Sequence, residues 1–263
     1  MRLAVVQFAI AHLDKERNFK RIEAFVRRAA RQNANVVVFP EDCVTGSIFG
    51  DLSKLDRTGE ARQRFQALAA KYKIDIVTGS CMEGTVEGNF NASYYVDASG
   101  TVLGTYRKNH LYPSEYKFLQ PGTEAPVFET AWGKTGIVIC WDMLFPEIFH
   151  SLKAQGVQII YCPSYWYREI AASMAAHNPR SEEGQLDALC VVRALEANAI
   201  LVYANAAGVQ AYKDGSVDTL IGHSQVAMPV LGPLQRLRHH RETMFVQDID
   251  LSLLEQSAEI YRA

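Results

Sequence analysis

Val36, Val37, Val38 and Phe39 form an unbroken apolar run that stops at Pro40 and Glu41. Four residues are too few for a helix, and a run without polar alternation has no face to offer water. It reads as a strand buried on both sides. Such a strand needs a covering layer on each face, which restricts the chain to layered α/β architectures. The flanking segments can supply those layers. Residues 3–8 are β-rich, and in 14–32 the side chains of Phe19, Ile22, Phe25, Val26 and Ala29 recur at helical spacing. A second unit follows, in which 58–73 has helical character with Phe65, Leu68 and Ala69 on one side, and 74–78 is another short apolar strand ending at Gly79.

The rhythm then changes. Residues 90–96 and 101–106 are strand-like runs separated by Asp97, Ala98, Ser99 and Gly100, a good hairpin loop, so the sheet is expected to be mixed. Strands are expected at 134–140, 157–161, 200–204, 224–228 and 243–249. Helices are expected at 146–155, with Pro146 in the first turn, and at 182–198. Segment 164–184 stands apart. Its Tyr165, Trp166, Tyr167 and Arg168 precede small residues and a polar turn at His177, Asn178 and Pro179, so it reads as part loop. Those aromatic residues either line a pocket or pack down a connection. No repeat, linker or low-complexity tract divides the chain, so residues 1–263 are expected to form a single domain.

Charge and cysteine usage narrow the function. With 27 basic and 29 acidic side chains in 263 residues, the formal net charge is −2, and no global field argues for nucleic acid or an anionic membrane. A small-molecule partner fits better. The densest basic stretch, Arg236, Arg238, His239, His240 and Arg241, reads as a solvated surface segment. The amino terminus, MRLAVVQF, matches neither a signal peptide nor a membrane span. Cys43, Cys81, Cys140, Cys162 and Cys190 are odd in number and lack CxxC spacing, which argues against a disulfide framework or structural zinc and for a reduced, cytoplasmic setting. No histidine sits in HExxH or HxH spacing, and no GxGxxG follows a strand, so neither a metal nor a dinucleotide cofactor is expected.

Three strand-like runs end on a reactive polar residue: FPE at Glu41, YRK at Lys108 and GIVIC at Cys140. Singly, each has a bland reading as a loop carboxylate, a surface ammonium and a buried small hydrophobe. In α/β sheets, however, carboxyl ends of strands gather around one crevice, so the three can converge. Their chemistry is complementary. A free cysteine is mostly thiol at neutral pH and needs a base or a cation to become a nucleophile. Glu41 suits the base. Lys108 suits the cation and the oxyanion partner, and the backbone amide of Trp141 is a candidate second donor. Glu115, seven residues past Lys108, can position the lysine, the nucleophile or a water, or can form a surface salt bridge.

The segments FPE at 39–41, YRKNHLYPSE at 106–115 and ICWDMLFPE at 139–147 resemble the signatures of the nitrilase superfamily of carbon-nitrogen hydrolases. The likeness extends to VVQF near the start, GNFNASYYVDASGTVLGTYRK, RALEANAILVYANAAG at 193–208 and GHSQVAMPVLGP at 222–233. This resemblance implies a nitrilase-like fold, a four-layer αββα sandwich with mixed sheets, often doubled by subunit packing, so a homodimer or larger homo-oligomer is expected. It also implies a Glu-Lys-Cys triad at Glu41, Lys108 and Cys140, with Glu115 matching an additional glutamate. In that scheme the amide loses ammonia, a thioester forms on Cys140, and water hydrolyses it. His110 falls to a structural place in its loop rather than a papain-like one.

Trp141 and Asp142 resemble the amidase and carbamoyl-amide hydrolase branches more than the true nitrilases, which points to a small-molecule amide, with N-carbamoyl amides and nitriles as the other arms. Acyl transfer and a non-catalytic binding role on the same scaffold stay open. The loop after Glu41, CVTGSIFG, and segment 164–184 depart from the common pattern, and both are expected to shape the pocket, with Tyr165 and Trp166 as its candidate substrate contacts.

Overall fold

The computed structural model describes residues 1–212 and 215–261. Its elements are β1 (Arg2–Gln7), α1 (Lys15–Arg31), β2 (Val36–Val38), α2 (Glu60–Tyr72), β3 (Asp75–Val77), β4 (Cys81–Gly84), β5 (Asn89–Val96), β6 (Val102–Arg107), β7 (Phe128–Thr130) and β8 (Gly133–Ile137). They continue with α3 (Pro146–Ala154), β9 (Ile159–Ser164), α4 (Ser181–Ala197), β10 (Ile200–Asn205), β11 (Ala207–Ala211), β12 (Val217–Ile221), β13 (Gln225–Met228), β14 (Gly232–Arg236), β15 (Thr243–Asp248) and α5 (Leu253–Tyr261).

Two mixed sheets result. The first runs β15-β1-β2-β3-β5-β4, with β6 also paired to β5, and the second runs β14-β13-β10-β9-β8-β7. Each has a parallel centre, β1-β2-β3 in one and β10-β9-β8 in the other, flanked by antiparallel strands. The period-2 rule explains why the central strands are apolar throughout. Leu3, Val5, Val36, Val38 and Val77 point into the core shared with the second sheet, whereas Ala4, Val6, Val37 and Ile76 point the other way, against Ile22, Val26 and Ala29 of α1 and Phe65 and Ala69 of α2. Each such valine or leucine contributes about 1.5–3 kcal/mol by leaving water on both faces.

Aromatic rings bridge the sheets: Tyr95 of β5 lies 6.0 Å from Tyr161 of β9 and 5.7 Å from Phe128 of β7. On the far side α4 covers β10 and β13 and packs on α3. The order helices, sheet, sheet, helices is the αββα sandwich that the resemblance implies. No helix among the described residues is long and apolar enough to cross a membrane.

Several boundaries differ from the sequence reading. The strand expected over 134–140 stops at Ile137, and Cys140 opens a 3₁₀ turn, Cys140–Leu144. Segment 164–184 contains a 3₁₀ run, Arg168–Met174, tied to β12 by the Tyr167–Leu220 bridge and by the Thr219 amide donating to Glu169. Strands β4, β7, β11, β12 and β14 and helix α5 are further elements. Most of those strands are short and carry glycine, proline or charged residues, so they lack the apolar runs that betray the central strands.

Candidate active site

Each of the three sequence-predicted reactive residues lies just past a strand end, and in each case backbone chemistry sets its position. The Phe39 amide still donates to the Val77 carbonyl at 3.1 Å, continuing the β2–β3 pairing, but Pro40 has no N–H and the ladder stops. Glu41 follows and is 3% exposed. At the end of β6, Lys108 donates its amide to Asn91 at 2.9 Å and accepts from the Gly122 amide at 2.9 Å, which pins its backbone and leaves its side chain 2% exposed. Beyond β8, Cys140 has φ +46°, the left-handed region that a non-glycine residue adopts only where its surroundings hold it there.

Asp142 supplies part of that hold. Fully buried, it accepts from the Ile139 amide at 2.8 Å, the Tyr106 hydroxyl at 2.6 Å and the His110 amide at 2.9 Å, and it pairs with His110 Nδ1 at 2.8 Å. One carboxylate thus ties the cysteine turn to the β6 end that carries Lys108. The ring of His110 stacks on Phe145 with centroids 3.8 Å apart, so His110 serves this scaffold.

The side chains converge. Lys108 Nζ donates to Glu41 Oε1 at 2.8 Å and to Glu115 Oε2 at 2.9 Å. Asn91 Nδ2 donates to both carboxylates, at 2.9 Å to Glu41 and 3.2 Å to Glu115. The Tyr165 amide donates to the other oxygen of Glu41 at 2.9 Å, and the Tyr112 amide to Glu115 at 2.7 Å. Asn91 was absent from the sequence-level candidates. Within the resembling stretch GNFNASYY, nothing separates this asparagine from an ordinary strand residue.

Electrostatics follow from burial. Desolvation pushes the Glu41 carboxyl above the ordinary glutamate range, against the pull of Lys108 and with a further push from Glu115. Burial works against the Lys108 ammonium, but Glu115 and Glu41 outweigh it and hold the lysine well above its usual value. The Cys140 thiol is pushed well up, first by desolvation and then by the Glu41 charge, with Lys108 opposing. A neutral thiol therefore sits beside Glu41 and a firmly charged ammonium. Such a thiol becomes a nucleophile only as its proton leaves, and Glu41, raised in basicity, is the adjacent acceptor.

Glu41, Lys108, Glu115 and Cys140 all line a cavity of about 440 Å³, a volume suited to a small molecule. Trp141, Tyr165 and Tyr167 form part of its wall, together with Asp42, Phe49 and Asp218. The aromatic segment after β9 therefore divides. Tyr165 faces the cavity and contributes its amide to Glu41. Trp166, expected beside it as a substrate contact, is 1% exposed and lies behind the wall, its indole N–H donating to Glu182 at 2.6 Å and its ring 5.4 Å from that of Trp141. Adjacent residues leaving a strand point to opposite sides, so one of the pair had to turn away from the cavity. Among the described residues no group of three or more His, Cys, Asp or Glu side chains is placed to hold a metal ion.

Comparison with known proteins gives the family and the fold. A family model described as carbon-nitrogen hydrolase matches residues 2–259. A probable nitrilase of Schizosaccharomyces pombe is 28% identical, over 95% of this chain and 88% of its own. A 2-oxoglutaramate amidase of Bacillus subtilis is 26% identical, over 98% of this chain and 93% of its own. Among solved structures, a mutant amidase of the nitrilase superfamily from Nesterenkonia AN1 superposes with a TM-score of 0.82 at 26% identity, covering 100% of this chain and 96% of that one. Another variant of that amidase carries the acetamide moiety of fluoroacetamide covalently added at its active-site cysteine.

Proposed function

This chain belongs to the carbon-nitrogen hydrolase family, enzymes acting on non-peptide bonds, and from that premise we propose that it hydrolyses a small-molecule amide through a thioester on Cys140, releasing ammonia. The observation that carries the reading is the placement of Cys140 on a strained turn in one cavity with the Lys108 ammonium and two buried carboxylates.

The steps follow from that placement. Sulfur attacks the amide carbon while Glu41 takes the thiol proton, and the carbonyl oxygen becomes an oxyanion held by Lys108 and the Trp141 amide. Glu41 then protonates the departing nitrogen, the C–N bond breaks, and ammonia leaves the acyl thioester behind. Water enters, gives its proton to Glu41 and attacks the thioester carbon. Collapse of the second oxyanion expels the thiolate, which recovers the proton from Glu41 and frees the carboxylic acid. Glu115 accepts from Lys108 as a second carboxyl beside Glu41, so the ammonium stays charged and fixed through both oxyanions. The covalent addition of an acetamide moiety at the active-site cysteine of the Nesterenkonia amidase supports a nucleophilic role for Cys140, the first of these steps.

The test is an ammonia-release screen across carboxamides, N-carbamoyl compounds and nitriles. We expect turnover of at least one carboxamide and none by Cys140→Ala, whose circular dichroism stays native. Turnover retained in that variant sinks the mechanism. Release of ammonia only from nitriles or carbamoyl compounds moves the substrate class while keeping the nucleophile. A cytoplasmic setting is part of the same proposal.

A further inference from the structure

The reaction uses Glu41, Glu115, Lys108 and Cys140, but the cavity wall contains two more carboxyls, Asp42 and Asp218, that the chemistry leaves idle. We infer that these two residues select a substrate whose acyl chain carries an ammonium group, an inference that rests on the amidase reading and names its substrate class.

Asp42 follows Glu41 directly and is held at φ +55°. Its backbone is fully engaged: the amide donates to Ser80 Oγ at 3.2 Å, and the carbonyl accepts from Thr45 and Gly46 at 3.2 and 2.7 Å. Its side chain is the opposite case. It lines the cavity, is 4% exposed, and keeps a buried Oδ1 with no hydrogen-bond partner. A buried acceptor without a donor is costly and rare in a folded protein, and at a cavity wall a donor brought by the ligand relieves it.

Asp218 stands beyond Tyr165. The Tyr165 and Tyr212 hydroxyls lie 3.0 Å apart, and Tyr212 donates to Asp218 at 2.5 Å, so a chain of hydroxyls ends on this carboxyl and orients it.

Charge accounting at the wall points the same way. Among the described lining residues, four carboxyls face two ammoniums, Lys108 and Lys117. Lys108 is already committed to Glu41 and Glu115, and Lys117 is exposed. A carboxylate on the acyl chain would find no uncommitted buried cation to meet it, only further carboxyls, of which burial and Glu41 push Asp42 well above the ordinary aspartate range. An ammonium would find the Asp42 and Asp218 carboxyls along a wall that also holds Trp141 and Tyr167, rings that attract cations.

The experiment compares three amides of equal chain length, ending in an ammonium, a hydroxyl or a carboxylate, by kcat/KM for ammonia release. The ammonium compound is expected to exceed the hydroxyl one by on the order of tenfold, and the carboxylate to be poorest. In Asp218→Asn and in Asp42→Asn the ammonium-to-hydroxyl ratio is expected to fall toward one. Should Asp42→Asn fail to fold, Asp218→Asn decides alone. A carboxylate preference, a flat series, or an unchanged ratio in the folded variants overturns the inference. Cleavage of simple amides but of no ammonium-bearing one overturns it while the amidase reading stands, whereas ammonia from no amide at all removes both.

Discussion

Glu41 shows how one residue's surroundings set its chemistry. It accepts from Lys108, Asn91 and the Tyr165 amide, three donors that favour its charged form, yet burial still leaves it above the ordinary glutamate range. The proposed mechanism requires the carboxylate, so kcat/KM is expected to fall as pH drops through this raised pKa, placing the acid limb higher than that of a free glutamate. Asn91→Ala removes one of the donors that favour the charge, so the limb should move to still higher pH. Its loss also leaves both carboxylates a donor short, and stability should drop by about 1–3 kcal/mol. pH-rate profiles and urea titrations of both proteins check the pair of effects, and an unmoved limb contradicts this electrostatic account. At this scale Glu41, Lys108 and Cys140 were legible as reactive residue types at strand ends, and Glu115 as a carboxylate seven residues past Lys108, helped by the motif resemblance. Asn91 and Asp42 were not, because their significance lies in partners 50 residues away, in the case of Asn91 and Glu41, or in the lack of a partner, in the case of Asp42 Oδ1.

Among the elements, the strands buried on both faces were the ones readable from sequence. Val36–Val38 announces itself because every position is apolar, whereas β14 (Gly232–Arg236) reads as turn and charge and acquires its strand identity only by pairing with β13. The end of β8 was misjudged for a related reason: Val138, Ile139 and Cys140 continue the apolar run, and the side chain that ends the strand, Asp142, bonds back to the Ile139 amide from two residues beyond the cysteine. Asp142→Asn is therefore expected to loosen the turn at Cys140 and the β6 end together, costing about 1–3 kcal/mol and lowering kcat more than it raises KM. Equal kcat with reduced stability would limit Asp142 to a structural role. The loop that carries Glu41 has a comparable dependence on Gly79. At φ +71°, a Cβ added there would lie 2.1 Å from the Pro40 carbonyl oxygen. Gly79→Ala must move that backbone or itself, and a displaced Glu41 should lower kcat/KM by on the order of a hundredfold. Near-wild-type kinetics in a folded Gly79→Ala protein would show that the loop has more freedom than these contacts allow.

For the molecule as a whole, both sheets contribute to one core, so we propose that residues 1–263 unfold as a single unit. Coincident near- and far-ultraviolet dichroism transitions are expected, and two separated ones would divide the chain into domains. Self-association is a further proposal drawn from the resemblance, checked by light scattering, where a mass equal to one chain would refute it. The layered architecture was readable at this scale because alternating strand and helix periods leave few other ways to bury both faces of the central strands. The division of the aromatic segment, Tyr165 to the cavity and Trp166 to the core, was not, since it depends on which side of β9's exit each side chain leaves. The central claim joins all three scales: strand ends from two sheets deliver one nucleophile, its base and its ammonium to a single cavity. Its most direct test is intact-mass and peptide mapping of the protein quenched in acid during turnover of a cleaved carboxamide, which traps the thioester between the two steps that Glu41 serves. The account predicts one acyl group, mapped to the peptide containing Cys140 and absent from Cys140→Ala protein. An acyl group on any other residue, or continued turnover without Cys140, would contradict it.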